Sequence, residues 1–390
     1  MRITYIQQHF AMQNEPGFVR AWEFCRRLVE DGHNVTVIRG GKQSEVVHSN
    51  GVRVISVRAP YENEMSFRRR VVAFLQFALG STGAALKSRP ELVYASSTPL
   101  TVALPAVLAS AVHRARFVFE VRDLWPKVPV ELGLVRNPII IWAAEVLEKF
   151  AYARAACVVA LSPDMAEGVK EARPHARVSV VPNGCDMDLF DEIEVDHECV
   201  GRESGVPEGA RHLVYAGGFG FMYDLPWCID LAAELASKNV FFTFIGRGTE
   251  SANLVALAKE RGIYRNGMFP GRLPKTEVIR YLKGSDAVFS ALRNAPALEA
   301  CSLNKVFDSM AASKPVFLNH GGWLTREVEG AGAGWRIPRD VTAAAELISS
   351  TVHNTDVLDA AGRANRKLGE LKYARDEQYL KFRSAVLGGD

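Results

Sequence analysis

The stretch Ser302-Leu-Asn-Lys-Val-Phe-Asp-Ser-Met-Ala-Ala-Ser-Lys-Pro-Val316 predicts a polar loop, a helix, a tight turn and a strand in succession. Its apolar residues recur at helical spacing, which gives the helix one buried face. Lys314-Pro315 ends the helix, and Val316-Phe317-Leu318 then predicts a buried strand. A helix that begins beside a polar loop presents unpaired N–H groups and a positive dipole end, which together favour an anion.

Polar side chains cluster at the start of this helix. Asn304 and Lys305 open it, and Asp308 follows about one turn later on the same face. A lysine for phosphate and a carboxylate for sugar hydroxyls suit a nucleoside diphosphate. The alternative is a capped surface helix with an exposed Lys–Asp pair, and spacing alone does not separate the two.

The run Asn304-Lys-Val-Phe-Asp308, followed by Met310-Ala-Ala and Lys314-Pro315-Val, resembles the donor-site motif of the retaining family 4 glycosyltransferases, which have the GT-B fold. The usual form is Lys-Xaa-Xaa-Glu-Tyr-Met-Ala-Ala-Gly-Lys-Pro, and its glutamate binds the ribose of a sugar nucleotide. The resemblance implies that role for Asp308. Many members carry another glutamate eight positions earlier, where this chain has Ala300 beside Glu299. Whether Glu299 replaces it is left open.

Composition limits the class of protein. The chain has 390 residues, of which 48% are apolar, so two domains of ordinary size are expected. A net charge of +3 is too small to indicate nucleic-acid binding. Residues 1–190 hold 23 Lys and Arg against 18 Asp and Glu, so an anionic surface would favour the first half. Six scattered cysteines without metal-ligand spacing predict a reduced, cytoplasmic chain without structural zinc, and the N-terminus does not resemble a signal peptide.

The first half predicts a parallel, Rossmann-like sheet, because buried strands alternate with helices. No Gly-x-Gly-x-x-Gly follows the first strand, Ile3–Gln7, which disfavours a dehydrogenase. Gly17 lies in the next loop, and the resemblance implies that this loop approaches the donor phosphates. The alternative is an ordinary helix start.

The segment Phe67–Phe77 combines three arginines with three phenylalanines. Such a segment is expected to lie on an anionic membrane, with the arginines outside and the Phe and Val side chains inserted. The alternative is a core-packed helix with a charged flank.

Arg122 and Asp123 follow the predicted strand Phe117–Val121. Ligands bind at the carboxyl ends of parallel strands, so both are candidate cleft residues, unless they simply pair with each other. The run Phe119-Glu-Val-Arg-Asp-Leu-Trp-Pro126 and the loop Ser96-Ser97-Thr98-Pro99 also resemble the bacterial surface-polysaccharide branch of family 4. Asp123 is our candidate for orienting the acceptor hydroxyl, with Arg122 and Lys305 as the other catalytic candidates.

The second half repeats the pattern of strands that end in polar or glycine-rich turns. Gly217-Gly218 lets a diphosphate approach the backbone. The resemblance would place an Arg and a Lys after this turn, but Phe221, Tyr223 and Asp224 stand there. We therefore expect Lys305, Arg247 or Arg293 to supply the positive charge that the phosphates need. Arg272 lies at a further strand end, and the resemblance implies that the turn there holds the nucleobase.

The resemblance covers nearly the whole chain and implies a GT-B architecture of two Rossmann-like domains that face a cleft. We expect an acceptor-binding domain at 1–183, a linker at 184–208, a donor-binding domain at 209–372, and a helix at 373–390 that returns to the first domain. The Pro182-Asn-Gly-Cys-Asp186 turn resembles the interdomain element of the family.

The resemblance further implies a retaining transfer of sugar from a nucleotide sugar, by family habit a UDP-sugar, without a metal or other cofactor. The acceptor expected is a polyprenyl-diphosphate-linked saccharide at the inner membrane face, in O-antigen, capsule or exopolysaccharide synthesis. The alternatives are a nucleotide-sugar epimerase, which needs acid and base carboxylates in the cleft, and a non-catalytic two-lobed binding protein.

Overall fold

A computed structural model describes residues 1–12, 15, 20–62, 65 and 67–388, and for residues 67 and 68 it describes the backbone only. Within these residues the chain forms two compact units. The first, called the N-terminal unit, comprises Met1–Pro182, Ala300–Ser302 and Gln378–Asp390. The second, called the C-terminal unit, comprises Asn183–Glu299 and Leu303–Glu377.

Strands of the described chain fall into one sheet in each unit. The strands are Arg2–Ile6 (β1), Asn34–Gly41 (β2), Glu45–Ser49 (β3), Val52–Arg58 (β4), Leu92–Ser96 (β5), Arg116–Val121 (β6), Cys157–Ala160 (β7), Val178–Val180 (β8), Arg211–Ala216 (β9), Val240–Ile245 (β10), Ala287–Ser290 (β11), Val316–Leu318 (β12) and Gly334–Arg336 (β13).

Helices occupy most of the connections between these strands. The α-helices are Arg20–Glu30 (α1), Phe67–Lys87 (α2), Ala103–His113 (α3), Lys127–Glu131 (α4), Pro138–Arg154 (α5), Pro163–Ala172 (α6), Met187–Asp191 (α7), His197–Glu203 (α8), Leu225–Ala236 (α9), Ser251–Glu260 (α10), Lys275–Gly284 (α11), Asn304–Ala311 (α12), Trp323–Gly330 (α13), Val341–Val352 (α14), Thr355–Leu368 (α15) and Arg375–Leu387 (α16).

The sheet of the N-terminal unit has the order β3-β4-β2-β1-β5-β6-β7-β8. Its pairs are parallel except for the edge strand β3, which runs antiparallel to β4. The sequence analysis did not predict β3, because its side chains are exposed or half-buried and give no buried pattern. Residues Tyr379 and Phe382 of α16 belong to this unit, where the Phe382 ring lies 4.4 Å from that of Phe24 on α1. Apolar burial of this kind fixes α16 in this unit.

The sheet of the C-terminal unit has the order β10-β9-β11-β12-β13 and is parallel throughout. The chain leaves β9 first toward β10 and later toward β11, so the strand order reverses between β9 and β11. In doubly wound sheets the ligand crevice lies outside the carboxyl ends of the strands at such a reversal. Phe242, Phe244 and Phe289 fill the core beneath it.

Residues 184–208, the predicted linker, contain α7 and α8 and cluster with the C-terminal unit. One sequence-based expectation differs from the structure. Phe77 was expected to insert into a membrane, but it is fully buried within the N-terminal unit. The helical phase of α2 turns Phe77 inward and exposes Val71, Val72 and Leu75 instead.

Candidate functional site

Two glycine turns at the carboxyl edge of the C-terminal sheet pack against each other through their backbones. The N–H of Gly217 donates to the carbonyl of Ile245 at 2.9 Å, and the N–H of Phe219 donates to that of Arg247 at 3.1 Å. Gly246 has a φ of 151°, and a Cβ there would lie 1.8 Å from the Gly217 carbonyl oxygen. Glycine is therefore required at position 246. The result is a strand edge with exposed backbone and little side-chain bulk.

Lys305, on the first turn of α12, reaches beneath the first glycine turn. Its Nζ lies 4.5 Å from the centroid of the Tyr215 ring and 4.2 Å from that of Tyr223, and only about 5% of the residue is exposed. A Cβ built on Gly217 would lie 3.4 Å from this nitrogen. The ring faces hold the ammonium group in place. A positive charge is thus fixed where a phosphate approaching the turn would lie.

Asp308 lies one helical turn beyond Lys305 and is held by an ion pair. Nζ of Lys275, on α11, donates to Asp308 Oδ1 at 2.7 Å, and both side chains are about four-fifths buried. The same nitrogen lies 5.3 Å from the centroid of the Phe190 ring. The sequence analysis did not identify Lys275. This contact orients the Asp308 carboxylate from one side.

Glu299 lies against the turn that follows β12. Its Oε1 accepts a hydrogen bond from the N–H of Gly321 at 3.2 Å, and a Cβ on Gly321 would lie 2.8 Å from that oxygen. Gly322 has a φ of 96°, and a Cβ there would lie 2.1 Å from the Glu299 carbonyl oxygen. The Glu299 carboxylate therefore lies beside the backbone of this turn. Asn304, another predicted site residue, is exposed at the first position of α12.

His320 links the ends of two strands through its ring nitrogens. It was not among the site residues predicted from the sequence. Its Nε2 lies 3.1 Å from Ser290 Oγ, and its Nδ1 lies 3.0 Å from the Gly321 carbonyl oxygen. Burial lowers the pKa of His320 to about 4. The imidazole is accordingly neutral at pH 7, and Lys305 rather than His320 supplies charge at this edge.

The predicted donor arginines occupy different environments. Arg247 and Arg272 are exposed, in turns joined by the hydrogen bond from the Gly246 N–H to the Gly271 carbonyl at 2.9 Å. The Arg293 guanidinium lies 3.6 Å from the centroid of the Phe221 ring and donates to the Phe221 carbonyl at 2.5 Å. Arg293 thus stabilises the loop after Gly218. Gly17 lies outside the described residues.

In the N-terminal unit, Asp123 is held by the loop that follows β5. Its Oδ2 accepts a hydrogen bond from Thr98 Oγ1 at 2.9 Å, and its Oδ1 lies 3.9 Å from Cys301 Sγ. The N–H of Arg122 donates to Ser97 Oγ at 3.1 Å. Thr98, rather than Arg122, is the close hydrogen-bond partner of Asp123. Both predicted residues are half-buried at the carboxyl end of β6.

A buried ion pair behind this edge had no clear sequence signal. Glu120 Oε1 accepts from Arg20 Nε at 3.0 Å, and Ser96 donates to Glu120 Oε2 at 2.5 Å. Burial alone would raise the pKa of Glu120, but Arg20, Arg122 and the hydrogen bonds outweigh it and hold that pKa below its ordinary value. The pair fixes the ends of β5 and β6 beneath Asp123.

His9 is a further polar residue at this edge that the sequence analysis missed. It is exposed just after β1, and its ring centroid lies 4.3 Å from that of Tyr61. The strand order of this sheet reverses at β1, so His9 stands where ligands of such sheets bind.

The described residues lack two features. They contain no group of three or more His, Cys, Asp or Glu side chains placed to hold a metal ion. None of the helices in the described ranges is both long enough and apolar enough to cross a membrane.

Two glycosyltransferase family models match successive parts of the chain. Residues 19–184 match the model described as "Glycosyl transferase 4-like domain", and residues 200–368 match "Glycosyl transferases group 1". The two matched ranges and the two parallel sheets define a glycosyltransferase with the GT-B fold, which confirms the predicted fold class. Within that class the chain belongs to the family 4 type.

Solved structures with the same fold cover the whole chain. Sucrose-phosphate synthase from Thermosynechococcus elongatus is similar with a TM-score of 0.80 and 15% identity, covering 99% of each chain. Anabaena HepE, solved with UDP and glucose, has a TM-score of 0.72 and 14% identity, covering 100% of each. A 2-deoxystreptamine glucosyltransferase from Streptomyces kanamyceticus is 24% identical over 187 residues, 47% of this chain. The match spans 46% of that relative, less than half of its length.

Proposed function

We propose that the protein transfers a sugar, with retention of anomeric configuration, from a UDP-sugar to a saccharide linked to polyprenyl diphosphate. The product would enter a bacterial surface polysaccharide such as O-antigen, capsule or exopolysaccharide. One observation carries the donor half of the proposal. Lys305 lies beneath the Gly217-Gly218 turn, and Asp308 follows one helical turn later.

The diphosphate is placed at the two glycine turns and the start of α12. Backbone N–H groups and a helix N-terminus bind phosphate without side-chain bulk, and Lys305 adds a full positive charge. As the bond between the anomeric carbon and the diphosphate oxygen breaks, negative charge grows on that oxygen. Lys305 stabilises this charge more strongly in the transition state than in the bound donor. The charge is met by residues of this chain, so the proposal requires no metal or other cofactor.

Asp308 is assigned to the ribose hydroxyls, which donate to its carboxylate. The ion pair with Lys275 fixes the rotamer of the carboxylate before the nucleotide arrives. Glu299, beside the Gly321 N–H, is assigned to hydroxyls of the transferred sugar. The solved complex of HepE with UDP and glucose supports a uridine donor, since that protein shares the fold over its whole length.

The part of the proposal that concerns the acceptor depends on Asp123. Its carboxylate, held by Thr98, orients the attacking hydroxyl. The new bond forms between that oxygen and the anomeric carbon on the face that the diphosphate leaves, and the hydroxyl proton passes to the departing diphosphate oxygen. A lipid-linked acceptor fits the basic first half of the chain and places the enzyme at an anionic membrane.

Calorimetric titration with a panel of nucleotide sugars tests the donor site. Asp308→Ala should weaken UDP binding about 10- to 150-fold, because a hydrogen bond to a charged group contributes about 1.5–3 kcal/mol. The matched ligand is 2′,3′-dideoxy-UDP, which lacks the ribose hydroxyls and should bind wild type and variant equally. Equal loss for both ligands would remove Asp308 from the ribose site. Conversion of one UDP-sugar into its epimer without any acceptor would instead indicate an epimerase.

A further inference from the structure

Three neighbouring helices of the N-terminal unit carry apolar stripes on their outward faces. α3 packs between α2 and α5 against the sheet, and His113 of α3 contacts the Leu86 carbonyl of α2 at 2.9 Å. The exposed apolar residues of this three-helix face are Val71, Val72, Leu75 and Leu79 on α2, Leu104, Leu108 and Val112 on α3, and Ile139, Ile140, Trp142, Val146 and Phe150 on α5. They recur at three- and four-residue intervals, so each helix contributes a continuous stripe.

The stripe on α5 exposes large apolar side chains. Ile139 is 73% exposed and Trp142 is 65% exposed. The inward side holds Ala151 and also Glu148, whose Oε1 accepts a hydrogen bond from the buried Tyr152 hydroxyl at 3.0 Å. The water-facing side of a helix normally carries mainly polar residues, and exposed apolar surface of this extent marks an interaction site.

Charge around this face identifies the partner. Residues 65–119 contain seven Lys and Arg and a single acidic residue, Glu91. Three of these, Arg68-Arg69-Arg70, stand in the first turn of α2, which contains no acidic residue and where the helix dipole disfavours cations. Lys87, Arg89 and Arg114 are exposed at the other ends of α2 and α3. A second copy of the chain would bring like charges together, whereas an anionic lipid surface would neutralise them.

We propose that the three-helix face docks on a bilayer that contains anionic phospholipid. The α5 stripe lies in the plane of the headgroups with Ile139 and Trp142 inserted, and the basic residues of α2 and α3 contact phosphate groups around it. The site requires no bound donor or acceptor, so vesicle binding stands or falls independently of the proposed glycosyl transfer.

Sedimentation of the full chain with sucrose-loaded vesicles tests this surface. Wild type should sediment with phosphatidylcholine vesicles that contain phosphatidylglycerol, and far less with phosphatidylcholine alone. The triple variant Ile139→Ser, Trp142→Ser, Val146→Ser should bind at least ~10-fold more weakly, because inserted side chains contribute in proportion to apolar area. Raising NaCl to about 0.5 M should weaken wild-type binding by screening the basic residues.

A matched control removes three exposed apolar side chains from other surfaces. Val46→Ser, Leu371→Ser, Leu380→Ser alters residues that are 52%, 70% and 52% exposed and lie outside this face, so binding should match wild type. In a second measurement, brominated lipids should quench wild-type tryptophan fluorescence, and Trp142→Phe should lose that quenching while still sedimenting.

Three outcomes would overturn the proposal. The first is wild type that stays entirely in the supernatant with anionic vesicles, and the second is an α5 triple variant that binds as well as the control variant. The third is light scattering that shows a wild-type dimer, which the α5 variant converts to monomer without any vesicle binding; a second copy then covers the face.

Discussion

Lys305→Met separates the charge beneath the first glycine turn from the packing around it. Methionine keeps an unbranched apolar chain between Tyr215 and Tyr223, so the fold of the turn should persist. Nζ of Lys305 lies 3.4 Å from a Cβ built on Gly217, so an anion bound at the turn would approach within about 4 Å. Two unit charges at that distance attract by about 4 kcal/mol at an effective dielectric constant of about 20.

Desolvation of the phosphate and the ammonium group opposes part of this attraction. The net contribution of a charge-assisted contact is about 1.5–3 kcal/mol, so Lys305→Met should weaken UDP binding by about 10- to 150-fold. The side chain is about 5% exposed, which limits screening by salt and favours the upper part of that range. Uridine carries no phosphate and should bind the variant and the wild type equally.

Titration calorimetry with UDP and with uridine measures both the expected loss of UDP affinity and the expected unchanged affinity for uridine. Lys314→Met is the matched control, because Lys314 is a half-buried lysine that precedes β12 at the opposite edge of the sheet. The control should bind both ligands as wild type does. UDP affinity of Lys305→Met within twofold of wild type, with an unchanged melting temperature, would refute the assignment of Lys305 to the diphosphate.

Three further changes test other parts of the site. Asp123→Asn should lower turnover about 100-fold without changing UDP affinity, and wild-type turnover would exclude its role in acceptor activation. Glu299→Ala should weaken a bound UDP-sugar but not UDP, as measured by competition between them. Since the pKa of His320 is about 4 when folded and about 6.5 when unfolded, the unfolded chain binds more protons as pH falls, so stability should drop below pH 6.5. The unfolding free energy, measured with denaturant, falls between pH 7.5 and pH 5. This fall should be about 2 kcal/mol larger for wild type than for His320→Gln.

Local sequence signals predicted the helix at the centre of the donor site. α12 begins at Asn304 and ends at Ala311, as the apolar spacing and the Lys314-Pro315 stop indicate. Side chains that meet from distant segments were not predictable in this way. Lys275 precedes its partner Asp308 by 33 positions, and Thr98 precedes Asp123 by 25. Such contacts depend on which strand ends the fold brings together, and no local pattern encodes that choice.

The expected membrane segment is a second case in which a local sequence pattern did not predict the positions of side chains. Counting arginines and phenylalanines in Phe67–Phe77 identified a basic, apolar segment, but not which side chains face outward. The structure buries Phe77 and gives outward positions to Val71, Val72 and Leu75. The strongly exposed stripe on α5 was missed, because Ile139 and Trp142 open a long apolar run that resembles a buried helix.

The family motif would place an Arg and a Lys after Gly218, and this chain lacks both, but other basic residues lie near the turn. Phe221 occupies that region, and the Arg293 guanidinium lies over its ring and bonds to its carbonyl. Lys305 reaches Gly217, at the start of the same loop, from α12. Two cations therefore still border the glycine turn, but they come from the ends of other elements instead of the loop itself. Because those elements are held by the core, the charge is placed before a donor binds, and preorganised charge stabilises a transition state without reorganisation. Under the proposed function, the departure from the family motif therefore changes which residues hold the diphosphate, while a positive charge still faces it.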